Sequence, residues 1–86
     1  MRERRSRDQI LIEIMSRCVI GENITRIVYQ TNTNFTTIRF YLDLLTKNGL
    51  LECHGTSPVL YRTTPKGIEL MNRLRRIQKE VAELAV

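Results

Sequence analysis

Apolar residues recur every three or four positions along the first part of the chain, which is the period of an amphipathic helix. Ser6 and Gln9 have the spacing of a capping box, and they open a first predicted helix that ends near Val19, before Gly21. Ile12 lies off the apolar stripe of this helix. The stripe itself comprises Ile10, Leu11, Ile14, Met15, Cys18 and Val19.

A short second helix and a longer third helix follow, separated by polar residues 31–34. Either Asn23 or Thr25 is expected to cap the second helix, which ends near residue 30. The polar run predicts a tight turn that ends in a helix cap. The third helix then covers residues 35 to 47 or 48 and is closed by Gly49. Its predicted inward stripe is Phe35, Ile38, Leu42 and Leu45.

After residue 49 apolar residues alternate with polar ones, which predicts two short strands around a turn at residues 55–58. Thr64 and Pro65 have the pattern of a helix cap and first turn, and the last helix reaches about residue 84. This order predicts a mainly α (α+β) fold, a winged helix-turn-helix with the order α-α-α-β-β-α. Residues 1–67 would form the winged-helix part and residues 65–86 a long C-terminal dimerisation helix of the same structural domain.

Size and charge narrow the possible functions. The chain has 86 residues, enough for one small domain that usually needs a disulfide, a metal or a partner subunit. Lys and Arg number 14 against 9 Asp and Glu, and the resulting net charge of +5 favours a nucleic-acid partner. The sequence has neither an apolar run of membrane-spanning length nor the apolar segment of a secretion signal. We therefore expect a cytoplasmic, nucleoid-associated protein with no membrane partner.

The third helix is the predicted recognition helix, because the major groove of DNA admits a helix and displays a distinct pattern for each base pair. Four residues near its N-terminal end point away from the predicted core: Thr36, Thr37, Arg39 and Phe40. Arg39 suits a guanine edge or a phosphate, and Phe40 suits a sugar edge or a thymine methyl. Asp43 repels phosphate and ends the contact zone. The alternative is that these side chains only cover the helix surface.

Other candidate DNA contacts lie outside that helix. Thr25 and Arg26 begin the second helix, where they suit a phosphate at the groove edge. Asn34 precedes the third helix, and Arg62 lies on the second strand, with its predicted contact on the DNA backbone or in the minor groove. Arg4 and Arg5 belong to an arginine-rich start that either contacts phosphate or only solubilises the chain.

The sequence predicts no catalytic residues, no metal site and no cofactor. Cys18 and Cys53 are expected to be free, inward-facing thiols, since a structural zinc needs four ligands in paired spacing. His54, the single histidine, has no nucleophile or carboxylate partner at a useful spacing. An enzyme is therefore not expected.

The last helix carries a heptad pattern that favours a homodimer. Its apolar residues follow spacings of four and three and form the predicted dimer interface: Leu70, Leu74, Ile77, Val81 and Leu84. A helix that keeps such a stripe beyond its own small core needs a partner for it. The alternative is packing within the chain along the first helix, with Ile12 as one contact.

Several segments together span most of the chain: RSRDQI at 5–10, TRIVY at 25–29, YLDLL at 41–45 with NGLL at 48–51, and YRTTPKG at 61–67. In these segments the chain resembles the archaeal winged-helix DNA-binding family of transcriptional regulators and small chromatin-associated proteins, whose last helices pair in an antiparallel coiled coil. The resemblance implies DNA binding, a homodimer through the last helix and no catalytic residues. Phe40 departs from the family, which commonly has a basic residue there.

The predicted function is sequence-dependent binding of double-stranded DNA by a homodimeric transcriptional regulator. Its two recognition helices would lie in successive major grooves, with half-sites about 10 bp apart or a multiple of that. One alternative is an architectural protein that coats DNA regardless of sequence. The other is a winged-helix protein-interaction module, which Phe40 and Asp43 favour, whereas Arg26, Arg39 and Arg62 favour DNA.

Overall fold

The computed structural model describes residues 5–84, which form four helices and one two-stranded sheet. The elements in chain order are α1 (Arg7–Arg17), α2 (Ile24–Thr31), α3 (Phe35–Lys47), β1 (Leu51–His54), β2 (Leu60–Thr63) and α4 (Pro65–Ala82). The predicted mainly α (α+β) class and the order α-α-α-β-β-α are confirmed. The helix at the C-terminal end is the longest of the four, with 18 residues.

Each helix begins at a polar residue whose side chain accepts a backbone N–H of the first turn. Ser6 and Gln9 form the predicted capping box at α1. The Gln9 N–H donates to the Ser6 hydroxyl at 3.1 Å, and the Ser6 N–H donates to the Gln9 side-chain oxygen at 2.9 Å. Asn23, rather than Thr25, caps α2. Asn34 caps α3, and Thr64 caps α4 ahead of the proline at the first helical position.

One apolar cluster joins the three N-terminal helices to the base of the hairpin. Its most completely buried large side chains are Ile14, Met15, Ile27, Ile38, Leu42, Leu45 and Leu51. Strands β1 and β2 pair antiparallel, with Leu51 opposite Thr63 and Cys53 opposite Tyr61. Thr63 ties the hairpin to α1, because its hydroxyl donates to the Met15 carbonyl at 2.6 Å and its N–H to the Cys18 carbonyl at 2.9 Å.

The structure confirms one alternative for α1 and contradicts one prediction. Ile12, which lies off the apolar stripe, is buried because α4 runs along that side of α1, as expected if the last helix packs along the first. One turn further on, the Arg75 Nη2 donates to the Ser16 hydroxyl at 3.1 Å across the same contact. Val19, predicted to be inward, is exposed because α1 ends at Arg17 and no longer holds it on the helical stripe.

The predictions for Phe35, Cys53 and Thr31 also differ from the structure. Phe35 is the first residue of α3, and about half of its surface stays uncovered there. Cys53 is exposed, because only Leu51 of β1 reaches the core and the rest of the strand projects beyond it. Thr31 belongs to α2 rather than to the turn, and its buried hydroxyl donates to the Ile27 carbonyl at 2.7 Å.

The start of α4 is fixed against the end of α3. The Thr64 hydroxyl donates to the Gly49 carbonyl at 2.7 Å, and the Thr64 N–H donates to the Leu50 carbonyl at 3.1 Å. Gly67 then passes so close to the Leu50 carbonyl that a Cβ there would overlap it. The backbone approach therefore depends on a residue without a side chain.

Candidate nucleic-acid interface

A three-residue turn sets the angle between α2 and α3. Asn32 takes a left-handed conformation with φ of 55°, and the Thr33 N–H donates to the Val28 carbonyl at 3.2 Å. Asn34 then turns the chain into α3, where its side-chain oxygen accepts the Thr37 N–H at 2.8 Å. This is a helix-turn-helix in which Asn34, a predicted DNA contact, uses its side-chain oxygen to start the second helix.

The outward face of α3 presents three of the four DNA contacts predicted for this helix. Thr36, Arg39 and Phe40 are exposed, whereas Thr37 is half-buried. Asp43 follows one turn later on the same face and is exposed as well. Within residues 5–84 no carboxylate pairs with Arg39, so its guanidinium is available to a phosphate or a base.

A groove of about 420 Å³ brings together residues that lie far apart in the sequence. Three residues that were predicted to contact DNA line it: Thr25 and Arg26 of α2 and Arg39 of α3. Sequence reasoning did not predict the remaining walls, since these depend on how the start of α2 and the hairpin fold against each other. They are formed by Asn23, Ile24, Pro58, Val59 and Tyr61.

Glu22 holds one wall of this groove in place. Its carboxylate accepts the Arg26 Nε at 3.3 Å and the Asn23 backbone N–H at 3.1 Å, and the carboxylate side chain is mostly buried. Its backbone also pairs with Tyr61 of β2 through two hydrogen bonds of 3.0 and 2.8 Å. The acid therefore connects the Arg26 side chain to the hairpin, a role that sequence reasoning missed.

The wing, defined here as β1, β2 and the loop at residues 55–59, presents Arg62 on its outer side. Arg62 lies opposite Glu52 in the register, and Tyr61, its neighbour on β2, is buried on the inner side. The His54 Nε2 lies 3.4 Å from the Glu52 carboxylate on the outer side, so the prediction that His54 has no carboxylate partner was wrong. Arg62 is therefore not part of the groove, and its contact with DNA stays a prediction.

Of the two N-terminal arginines that were predicted to contact DNA, the structure describes only Arg5. Arg5 turns inward and donates to the Glu13 carboxylate on α1 and to the Thr31 carbonyl at the end of α2. Its guanidinium therefore already has two partners in the chain. Arg4 lies outside the described residues.

The two cysteines have opposite surroundings. Burial and the nearby Glu22 carboxylate raise the pKa of Cys18 to about 12, so that this thiol stays neutral. Cys53 is exposed on β1 and is free, like Cys18. Across residues 5–84, no group of three or more His, Cys, Asp or Glu side chains has a metal-binding arrangement.

The apolar stripe of α4 is only partly covered by the rest of the chain. Leu70 and Leu74 are half-buried and pack against the core. Ile77 and Val81 remain 55 and 61% exposed, and Leu84, which was predicted to lie in the helix, follows the end of α4 at Ala82 and is 68% exposed. The first two predicted interface residues thus have partners within the chain, and the last three are free to contact another surface.

A helix-turn-helix followed by a two-stranded hairpin defines a class of DNA-binding folds in which the second helix of the motif is the recognition element. The profile of the winged helix-turn-helix family matches residues 4–82, and the chain belongs to that family. It is a family of DNA-binding regulators and not of enzymes. A sequence comparison with curated proteins gives no match.

Two solved structures that are similar to this chain come from Sulfolobus solfataricus. Sso10a-2, a DNA-binding protein from Sulfolobus solfataricus, is 28% identical over 91% of this chain and 83% of its own, with a TM-score of 0.84. The transcriptional regulator BldR from the same organism is 14% identical over 85% of this chain and 56% of its own, with a TM-score of 0.76.

A bacterial structure has the same fold at a similarly low sequence identity. BpsR from Bordetella bronchiseptica, whose DNA binding is regulated by 6-hydroxynicotinic acid, is 18% identical over 94% of this chain and 60% of its own, with a TM-score of 0.74. At these identities BldR and BpsR support the fold alone. Separately, none of the helices within residues 5–84 has both the length and the hydropathy needed to cross a membrane.

Proposed function

We propose that this protein is a homodimeric transcriptional regulator that binds double-stranded DNA in a sequence-dependent manner. The observation that carries the proposal is the groove in which Arg39 of α3 meets Thr25 and Arg26 of α2 beside the wing. Two guanidinium groups on a surface next to an exposed helix face match the negative charge and the shape of a duplex.

In the proposed complex α3 enters the major groove with its N-terminal end first. Thr36 and Arg39 reach the base edges, and Arg39 binds a guanine or the phosphate beside it. Thr25 and Arg26 hold a phosphate at the groove edge and so fix the position of the recognition helix without reading the sequence. The wing places Arg62 near the neighbouring backbone or minor groove.

The exposed part of the α4 stripe supports the homodimer. Ile77 and Val81 of α4, and Leu84 shortly after its end, are each more than half exposed, beyond the region that the core covers. A second copy that contributes the same stripe would remove these side chains from water, at about 25 cal/mol for each Å² of apolar surface buried. Two copies would place their recognition helices in half-sites about 10 bp apart or a multiple of that.

The first test compares Arg39→Gln with a matched control, Lys47→Gln, at the far end of the same helix. Both changes remove one positive charge from α3, but only Arg39 lines the groove. We expect Arg39→Gln to weaken duplex binding about tenfold, which is about 1.4 kcal/mol and lies within the roughly 1–3 kcal/mol of a well-placed guanidinium, and Lys47→Gln to weaken it less than about threefold. Fluorescence anisotropy against a labelled duplex measures both affinities. Equal losses would contradict the assigned recognition face.

Competition experiments separate the proposed regulator from the two alternatives. A duplex selected from a random pool should resist displacement by excess random DNA if binding depends on sequence. Equal affinity for all duplexes would instead identify an architectural protein. Affinity should also fall steeply as salt rises, because each neutralised phosphate releases counterions. Absence of binding at low salt would leave a protein-interaction module.

A further inference from the structure

Phe40 is an aromatic side chain on the outward face of α3 with 59% of its surface exposed. Its ring meets the half-buried Tyr41 ring edge to face, with centroids 5.4 Å apart and planes at 74°. Such pairs are favourable beyond the surface they bury, so Tyr41 holds the Phe40 ring in a defined position. The ring is therefore presented to the surroundings and not folded onto the core.

The neighbours of Phe40 indicate what kind of surface it meets. Arg39 extends from the adjacent position into the groove, and Thr36 lies one turn earlier on the same face. Asp43 lies one turn later. A carboxylate there repels phosphate, so the strip around Phe40 and Asp43 does not follow the DNA backbone. Together with the apolar ring, this places Phe40 against the base edges of the major groove.

The major groove offers one apolar group to such a ring. Thymine exposes its 5-methyl group there, whereas the other three bases expose hydrogen-bonding atoms. We infer that Phe40 is a specificity-determining residue that contacts the 5-methyl group of a pyrimidine, which is thymine in ordinary DNA. The inference rests on the proposed function, since it places α3 in the major groove.

The test removes only the methyl group from the DNA. A random-sequence duplex pool is compared with a twin pool in which every dT is replaced by dU, and no target site needs to be known. The unmodified protein should bind the dU pool about twofold more weakly, because one buried methyl is worth about fourfold in affinity and only about a quarter of the registers in random DNA place a thymine against the ring. Replacing dC by 5-methyl-dC in the dU pool should restore the affinity, since this base carries the same methyl in the same groove.

Variants of the protein then assign the effect to the ring. Phe40→Ala should bind the dT and dU pools equally, and Phe40→Leu, which keeps an apolar side chain, should retain part of the difference. Thr36→Ser is the matched control, because it removes the other methyl on this face, and it should keep the full difference. Circular dichroism melting checks that the variants fold, which the exposure of Phe40 favours.

Two results would overturn the inference while leaving the proposed function in place. One is salt-dependent binding with equal affinity for the two pools. The other is a Phe40→Ala variant that still prefers the dT pool by the same factor. Absence of binding to either pool at low salt would overturn the proposed function, and the role of Phe40 in DNA recognition with it.

Discussion

The two halves of α4 share one apolar stripe but have different surroundings. In the first half Gly67 and Met71 are buried, and Leu70 and Leu74 pack on the core. In the second half the stripe continues through Ile77 and Val81, which are mostly exposed. Helical periodicity therefore identifies which face of a helix is apolar, but it does not identify what covers that face. The first half stabilises the domain, and the second half is available for association.

The largest effect on stability is expected from Gly67→Ala in the first half. A Cβ at this position would overlap the Leu50 carbonyl and lie 2.7 Å from the Thr63 Cγ2, so the backbone would have to move. We expect the free energy of unfolding to fall by about 3 kcal/mol or more, although alanine favours a helix. Asn72→Ala, at an exposed position of the same helix, is the control and should unfold like the original chain in urea. A stable Gly67→Ala variant would show that the start of α4 can shift.

The buried thiol of Cys18, at the end of α1, reports whether the core of the domain stays closed. With its pKa raised to about 12, Cys18 should have about a thousandfold less thiolate at pH 8 than an ordinary cysteine, whereas Cys53 should react readily with a thiol reagent. Above pH ~8.5 the unfolded thiol loses its proton and the folded thiol does not, so the free energy of unfolding should fall as pH rises toward 12. Cys18→Ala should remove this slope, and Cys53→Ser should not. Fast labelling of both thiols would contradict the buried position of Cys18.

The smallest effect on the free energy of unfolding of the single chain is expected in the second half of α4, from Val81→Asp. Where the chain is monomeric, this exposed substitution should change the free energy of unfolding by less than about 0.5 kcal/mol. Where the original chain is a dimer, it should reduce the mass found by light scattering to that of one chain. Ala82→Asp adds the same charge beside the stripe and should leave the dimer intact. A monomeric original chain at high concentration would contradict the homodimer.

Local sequence signals predicted the elements well but not their contacts. Ser6, Asn34 and Thr64 could be identified as caps because a cap depends on residues a few positions away. The exposure of Cys53 could not, since it depends on where the hairpin lies in space, and the burial of Ile12 followed from only one of the two arrangements that the sequence left open for α4. Most of the groove could not be predicted from the sequence either, because it depends on the same spatial arrangement.

Within the candidate site, the sequence predicted the exposed face of α3 but not the parts that join it to the wing. Thr36, Arg39 and Phe40 were recognised because they point away from a regular apolar stripe. Glu22 is not part of such a regular pattern, so the sequence did not indicate its role. Its position depends on hydrogen bonds to Tyr61, a residue distant in sequence, and the inward turn of Arg5 depends in the same way on Glu13 and Thr31.

The backbone pairing of Glu22 with Tyr61 also bears on the mechanics of DNA recognition. Because two hydrogen bonds join the wing to the segment before α2, the spacing between wing and recognition helix is set before any duplex arrives. In the complex proposed above, a duplex would adjust its groove width to that spacing, and flexible base steps such as TA adjust at lower energy than stiff ones. Part of the discrimination would therefore come from the bending stiffness of the DNA, at base pairs that no side chain touches.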